Sequence, residues 1–399
     1  MKILIIAHKP PFPTIDGGCV AVRNFLQNVI PQKEIASIDH FSLSTHKHPF
    51  DKTKFPTDWS KVQFLHQKID TSLNPVSALR ALLTGQSYNL SRFYSEAVAL
   101  TLRKLQAKNQ YDVVFFETPF SAVYAPFFEK SKRILRAHNL EFEIWNNLSK
   151  NEKNSLKRWY LKQLAKALEK EEKTIFQQMD VIATLSIEDE QKLKKITTTK
   201  IVHIPVSATL QKLIEPTEAP AFCFLGIMDW APNIEAVNWF LDSIFPEILL
   251  KIPQATFHIA GKYSEKIKAW QNRKNVLVHG FVPNLATFMQ NTGIFVAPLL
   301  SGSGVKIKVM EAMSFGVPCV LTPKGAEGLF LPSNYTISLD KESFVQQCIE
   351  LFESIEKRFE LGELGWQTMK SFYATEKVQD ALKYLLKTEI PTVFLSNNP

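Results

Sequence analysis

Apolar residues fall along this chain in short continuous runs separated by longer amphipathic stretches. In the first half the runs are Lys2 to Ala7 (KILIIA), Ala36 to Leu43, Val62 to Leu65, Tyr111 to Phe116, Arg133 to Ala137, Asp180 to Leu185 and Lys200 to Pro205. In the second half they are Ala221 to Gly226, Thr256 to Ala260, Val276 to Gly280, Phe295 to Pro298 and Cys319 to Thr322. Runs of this kind predict strands of a parallel sheet covered on both faces. Between them, 3.6-residue periodicity predicts helices at about Cys19 to Val29, Val76 to Thr84, Arg92 to Ala107, one long helical region ending near Met179, Val305 to Phe315, Glu342 to Ile355 and Lys377 to Thr388. Strand and helix alternate on both sides of a segment from about Ser207 to Pro220, which carries Pro216 and Pro220. The expected organisation is an α/β chain with two parallel sheets: residues 1–200, a linker at 201–220, residues 221–375, and a terminal helical segment at 376–399. A ligand would then lie between the two.

The stretch Phe295 to Leu329 concentrates the candidate chemistry. A strand leads into Ser301-Gly302-Ser303-Gly304, then a helix closed by Gly316 and Pro318, then a second strand. The loop of such a unit lies at the carboxyl end of the strand, and the free N–H groups of the helix start favour an anion there. Lys308 and Glu311 are three apart and share a helical face. A cation there would meet a diphosphate, and a carboxylate would accept from ribose hydroxyls. The plainer reading of these residues is a turn and a solvated salt bridge.

Other candidates lie at strand ends in the first half. Gly17-Gly18 opens the helix after the first strand and permits close approach of a phosphate or sugar, or only satisfies the turn. The third glycine of a dinucleotide fingerprint is missing, which disfavours a dehydrogenase. His138 follows the Arg133 to Ala137 strand at the same sheet edge as Gly17-Gly18, in the string Arg136-Ala137-His138-Asn139. Glu117, ending another strand, is read as a helix cap in preference to an acceptor contact. The other eight histidines, His46 and His48 among them, show no ligand-like company.

The pattern in Phe295 to Leu329 resembles the nucleotide-sugar signature of retaining GT-B glycosyltransferases of the family-4, group 1 type. Glu311-Ala312-Met313, Gly316-Val317-Pro318 and Gly325 match it, and Gly17-Gly18 and Arg136-x-His138-Asn139 look like the family's cleft-facing turn and donor-sugar histidine. The resemblance implies a GT-B fold, two Rossmann-like doubly wound domains facing a cleft, with the last helix crossing back to the first. It implies transfer of a sugar from a nucleoside diphosphate donor, UDP or GDP, to a hydroxyl acceptor with retention. His138, Lys308 and Glu311 take the catalytic places. Gly17, Gly18, Gly302, Ser303, Gly304, Val305, Lys306, Lys308 and Glu311 take the donor-binding ones. Two positions depart from the pattern: Ser303 stands where the family's first Glu contacts the donor sugar, and Ile227 stands where an Arg meets the diphosphate, with Asn233 near the place of a Lys. Lys306 and Lys308 fit a variant with a Gly-x-Gly loop and a basic residue. A catalytically silent GT-B-like protein that binds a partner or glycan, and a nucleotide-sugar epimerase, are the rival readings.

Composition then narrows the setting. The 399 residues suit two domains of about 200 each, and 45% hydrophobic with 22% charged content is that of a soluble globular protein. Cys19, Cys223, Cys319 and Cys348 are scattered without metal or redox spacing and read as reduced packing residues. No Asp-x-Asp occurs, so no metal or other cofactor is expected. No run approaches the roughly 20 apolar residues of a membrane span, and the apolar start is too short for a secretory segment. A cytoplasmic protein is expected. The formal net charge of +8 is visible in Lys150 to Lys173, where Lys157, Arg158, Lys162 and Lys166 recur beside Trp159 and Tyr160. Such a helix fits an anionic membrane surface and a lipid-linked acceptor, as in polysaccharide or glycolipid assembly; a solvated face packed on its own domain explains it as well. No nucleic-acid module is present.

Overall fold

The computed structural model describes residues 1–211, 217, 218 and 220–387. Residues 212–216 and 219 of the expected linker, and 388–399 of the expected terminal segment, lie outside the described residues. The chain divides into two compact units, Met1–Val206 with the chain from Val378 onward, and Ser207–Lys377.

The first unit holds a sheet of seven strands in the order β3-β2-β1-β4-β5-β6-β7. They are β1 (Lys2–Ala7), β2 (Ser37–Ser44), β3 (Val62–Lys68), β4 (Val113–Glu117), β5 (Lys132–Ala137), β6 (Val181–Thr184) and β7 (Lys200–His203). Every pairing is parallel. β7 bears out the strand expected at Lys200 to Pro205, so the linker bound set at 201 falls inside the sheet: His203 pairs with Thr184. The alternation within β1 shows why the run is continuously apolar. Leu4 and Ile6 enter the core on one face with Phe116 and Leu135, and Ile3 and Ile5 enter the core on the other with Phe25 and Leu26. Both faces are covered, so neither parity can be polar.

The second unit holds five parallel strands in the order β10-β9-β8-β11-β12. They are β8 (Ala221–Leu225), β9 (Phe257–Ala260), β10 (Val276–Gly280), β11 (Gly293–Ala297) and β12 (Cys319–Leu321). Phe222, Phe224, Phe257, Ile294 and Val296 build its core with Phe240, Ile244 and Trp270 from the covering helices. All four cysteines are free and buried.

Strand order fixes where chemistry belongs. In each sheet the chain starts in the middle, winds one way, then returns to wind the other way. The neighbours where the direction reverses are β1 and β4 in the first unit, and β8 and β11 in the second. Loops leaving the carboxyl ends of those strands diverge and open a crevice for a ligand.

Candidate active site

In the second unit the reversal point gathers the loop after β8 and the loop after β11. Gly302 (φ 101°) and Gly304 (φ 75°) hold the second loop in the left-handed region, where a side chain would be strained. Thr322 ties the loop down from the end of β12: its hydroxyl donates to Leu299 O at 2.6 Å and accepts from the Gly325 N–H at 3.0 Å. The helix that follows is Ile307–Ser314, not Val305 to Phe315, because Val305 and Lys306 complete the loop. Its N-cap is Lys306, which supplies no side-chain acceptor to the first N–H groups. A helix start left this way favours an anion.

The two lysines part company there. Lys306, buried, donates to Gly304 O at 2.7 Å and pairs with Glu327 at 3.3 Å, so its charge closes the loop on itself. Lys308 donates to Asn233 Oδ1 at 2.6 Å and lies 4.2 Å from the centre of the Phe224 ring. Asn233 is held in turn by donating to Ile227 O at 2.9 Å. Burial, with Lys306 alongside, pulls the Lys308 ammonium down to about 7 against the opposing pull of Glu311. Ser303, Val305 and Glu311 are half-exposed on the same loop and helix.

In the first unit the residues just beyond β1, β4 and β5 converge. His138, 8% exposed, donates from Nε2 to Glu117 Oε2 at 2.6 Å, and Arg136 donates from Nη1 to the two Glu117 oxygens at 2.6 and 2.8 Å. Glu117 is fully buried. Burial alone would raise its carboxyl, but Arg136 and His138 outweigh it and hold it at about 2. The cap reading of Glu117 is thereby corrected: the helix after β4 starts at Pro119 behind Thr118 with no side-chain cap, and Glu117 turns into the sheet edge toward Arg136 and His138. Burial lowers His138 despite Glu117, so the imidazole is neutral near pH 7. With Nε2–H committed to the carboxylate, Nδ1 is left as the acceptor.

His8 and Lys9 complete this edge. His8 Nδ1 donates to Glu117 O at 3.1 Å, and burial followed by Lys9 and His138 keeps it neutral. Gly17 and Gly18 form the first turn of helix Gly17–Val29, capped by Asp16, which accepts from the Cys19 N–H at 2.9 Å. A Cβ on Gly18 would lie 2.6 Å from Lys9 Nζ, so the glycine makes room for the ammonium. Asp16 also accepts from Lys9 at 2.9 Å with both oxygens and from His48 Nε2 at 2.8 Å. His48 therefore does have company, against the sequence expectation: among the described residues Asp16, Cys19 and His48 bring ligand atoms within 4.8 Å of one another. Lys9 already supplies the cation, and burial with Asp16 pushes the Cys19 thiol up to about 11.

Sequence reasoning passed over His8, Lys9 and the partnership of Asn233 with Lys308. His8 was findable, since it follows β1 at the sheet edge as His138 follows β5. The Lys308 contact carried no local signal, because Asn233 lies 75 residues away.

Two parallel sheets with residues gathered at both reversal points define a class, the GT-B proteins, and comparison with known structures agrees. Sucrose-phosphate synthase from Thermosynechococcus elongatus superposes with a TM-score of 0.71 at 15% identity, covering 96% of this chain and 98% of that one. HepE from Anabaena, solved in complex with UDP and glucose, gives 0.63 at 11%, covering 97% and 99%. The lipopolysaccharide outer core galactosyltransferase WaaB gives 0.56 at 16%, covering 96% and 98%. Residues 219–354 match the family described as Glycosyl transferases group 1. A Klebsiella pneumoniae protein described as an uncharacterized 44.6 kDa protein in the cps region is 23% identical over 392 residues, 94% of this chain and 97% of the relative. The chain thus has the GT-B fold, and residues 219–354 of its second unit resemble the group 1 glycosyltransferases.

Proposed function

We propose that the protein is a retaining hexosyltransferase that moves a sugar from a nucleoside diphosphate donor to a hydroxyl acceptor in polysaccharide or glycolipid assembly. The observation that carries this reading is Lys308, whose ammonium is fixed by Asn233 at the start of an uncapped helix. It stands where a diphosphate would be met by positive charge and free amides. The UDP and glucose bound in the HepE structure, the lipopolysaccharide role of WaaB and the cps region of the Klebsiella relative support the same class of donor and product.

In this reading the loop Gly302-Ser303-Gly304-Val305, stiffened by Lys306, and Lys308 neutralise the leaving diphosphate, while Glu311 accepts from the ribose hydroxyls. His138, oriented by Glu117, accepts a sugar hydroxyl through Nδ1, and Gly17-Gly18 admit the sugar or acceptor close to the backbone. The anomeric carbon–phosphate oxygen bond breaks as the acceptor oxygen bonds to the same face of that carbon. The acceptor's proton passes to the departing phosphate, so no protein nucleophile is consumed. Electrostatic stabilisation by Lys308 serves where a metal would otherwise, and no cofactor is required. The acceptor is placed at the inner face of a membrane, lipid-linked, by a cytoplasmic enzyme.

Calorimetric titration with UDP, GDP and their sugar conjugates tests the donor site. One nucleotide should bind, and Glu311→Ala should weaken it by at least about tenfold, as expected for losing charge-assisted hydrogen bonds. No binding of any nucleotide would favour the silent, partner-binding alternative that Ser303 and Ile227 leave open. Turnover should persist in EDTA, and complete loss there would overturn the metal-free mechanism.

A further inference from the structure

Helix Pro75–Thr84 is apolar on the side that faces water. Leu73 is 79% exposed, Val76 77%, Leu79 57% and Leu83 79%. Val76, Leu79, Arg80 and Leu83 are spaced at i, i+3, i+4 and i+7, a single row along the helix. A surface helix normally shows the reverse, with its polar row outward. Contiguous exposed apolar rows mark sites of docking.

The neighbouring surface is basic. The inner side of this helix, through Ala78 and Ala81, packs against Tyr160, Leu161 and Leu164 of helix Ser155–Gln177. An open groove of about 290 Å³ runs between the two, with Ala81, Leu82 and Gly85 on one side and Gln163, Lys166 and Lys170 on the other. On the second helix, exposed Trp159 (55%) shares a face with exposed Lys166 and Lys170. From Lys150 to Lys173 there are eight basic and four acidic residues. Of the four, Glu172 is buried, and Glu152 and Glu169 are paired to Lys157 and Lys173.

An apolar row beside a lysine row fits a surface that is apolar within and anionic at its edge. We propose that helices Pro75–Thr84 and Ser155–Gln177 form the docking face for an anionic lipid bilayer. The Val76, Leu79 and Leu83 row enters the boundary between headgroups and acyl chains, and Lys166 and Lys170 pair with lipid phosphates. The helices lie on the bilayer: among the described residues no helix is long and apolar enough to cross it. This inference deepens the membrane-surface part of the proposed function and rests on it for its purpose only.

Sedimentation of the full chain with vesicles of equal parts phosphatidylglycerol and phosphatidylcholine, against phosphatidylcholine alone, tests it. Binding should require the anionic lipid and weaken with salt. The pair Leu79→Asp with Leu83→Asp and the pair Lys166→Glu with Lys170→Glu should each lower partition by at least about tenfold. Nucleotide titration of the same variants reports their folding and reads the donor site separately, so vesicle binding without nucleotide binding would sink the donor reading and leave this one standing. No sedimentation of the wild-type chain at low salt would overturn the proposal. So would aspartate variants that bind as wild type while the glutamate variants fail, which would mark a polyanion site without apolar insertion.

Discussion

If Lys308 meets the donor diphosphate as proposed, donor affinity depends on pH in one direction. In the unliganded protein its ammonium is held at about 7 by burial and by Lys306. A bound diphosphate favours the charged form and raises that value. Below about pH 7 the lysine is already protonated and binding takes up no proton. Above it, each binding event must take up one, so affinity falls by up to about tenfold per pH unit until the bound-state value is reached. Titrations from about pH 6 to about pH 9 should show that profile, and Lys308→Arg should flatten it, because guanidinium stays charged throughout. Constant affinity of the wild type across this range would remove Lys308 from the diphosphate. The placement of Lys308 and Glu311 on one helix was legible in the sequence because it is local, three residues apart. The carboxylate that orients His138 was not: Glu117 lies 21 residues from the histidine, and only the pairing of β4 with β5 brings them together.

Among elements, strands were the most legible and helix ends the least, and the reason is physical. A parallel strand covered on both faces must be apolar at every position, so β1, β4 and β11 announce themselves. A helix end depends on which groups satisfy its free amides, and those groups are often distant. The long helical region up to Met179 is made of two helices, Glu141–Asn151 and Ser155–Gln177. Asn154 starts the second by accepting from the Lys157 N–H at 3.0 Å, a cap visible in the sequence once sought. The start of the first was not visible. Leu140 offers no side-chain cap, and the Glu141 and Phe142 N–H groups donate instead to Glu172 at 3.2 and 2.8 Å. That carboxylate comes from the second helix, 31 residues beyond Glu141. Burial and the nearby Glu141 push Glu172 well above the usual carboxylate range, against the pull of the two N–H groups it accepts from. The string beginning at His138 is thus fixed at one end by Glu117 and at the other by Glu172, two buried carboxyls shifted in opposite directions.

At the scale of the whole molecule, a helix far along the chain completes the core built around its beginning. Helix Thr375–Leu386 starts in the second unit, and from Val378 its residues belong to the first. Val378, Leu382, Leu385 and Leu386 enter the core that holds Ile3, Ile5, Phe25 and Val113, and Lys132 donates to Leu385 O at 2.7 Å. The periodicity of this segment shows an apolar face but says nothing of which sheet receives it, since a stripe of valine and leucine fits either core equally well. The structural consequence is that the first unit is incomplete until helix Thr375–Leu386 is made. Leu382 is fully buried there, so Leu382→Ala should destabilise the first unit by about 2–5 kcal/mol through lost burial and the cavity left behind. Two units make a single unfolding midpoint ill-defined, and amide hydrogen exchange resolves them. Protection should fall across β1 and β5 while β8 and β11 keep theirs, with Leu339→Ala, at a position 79% exposed, as the silent control. If Leu382→Ala left β1 as protected as in the wild type, helix Thr375–Leu386 would be an appendage to the first unit's core rather than part of it.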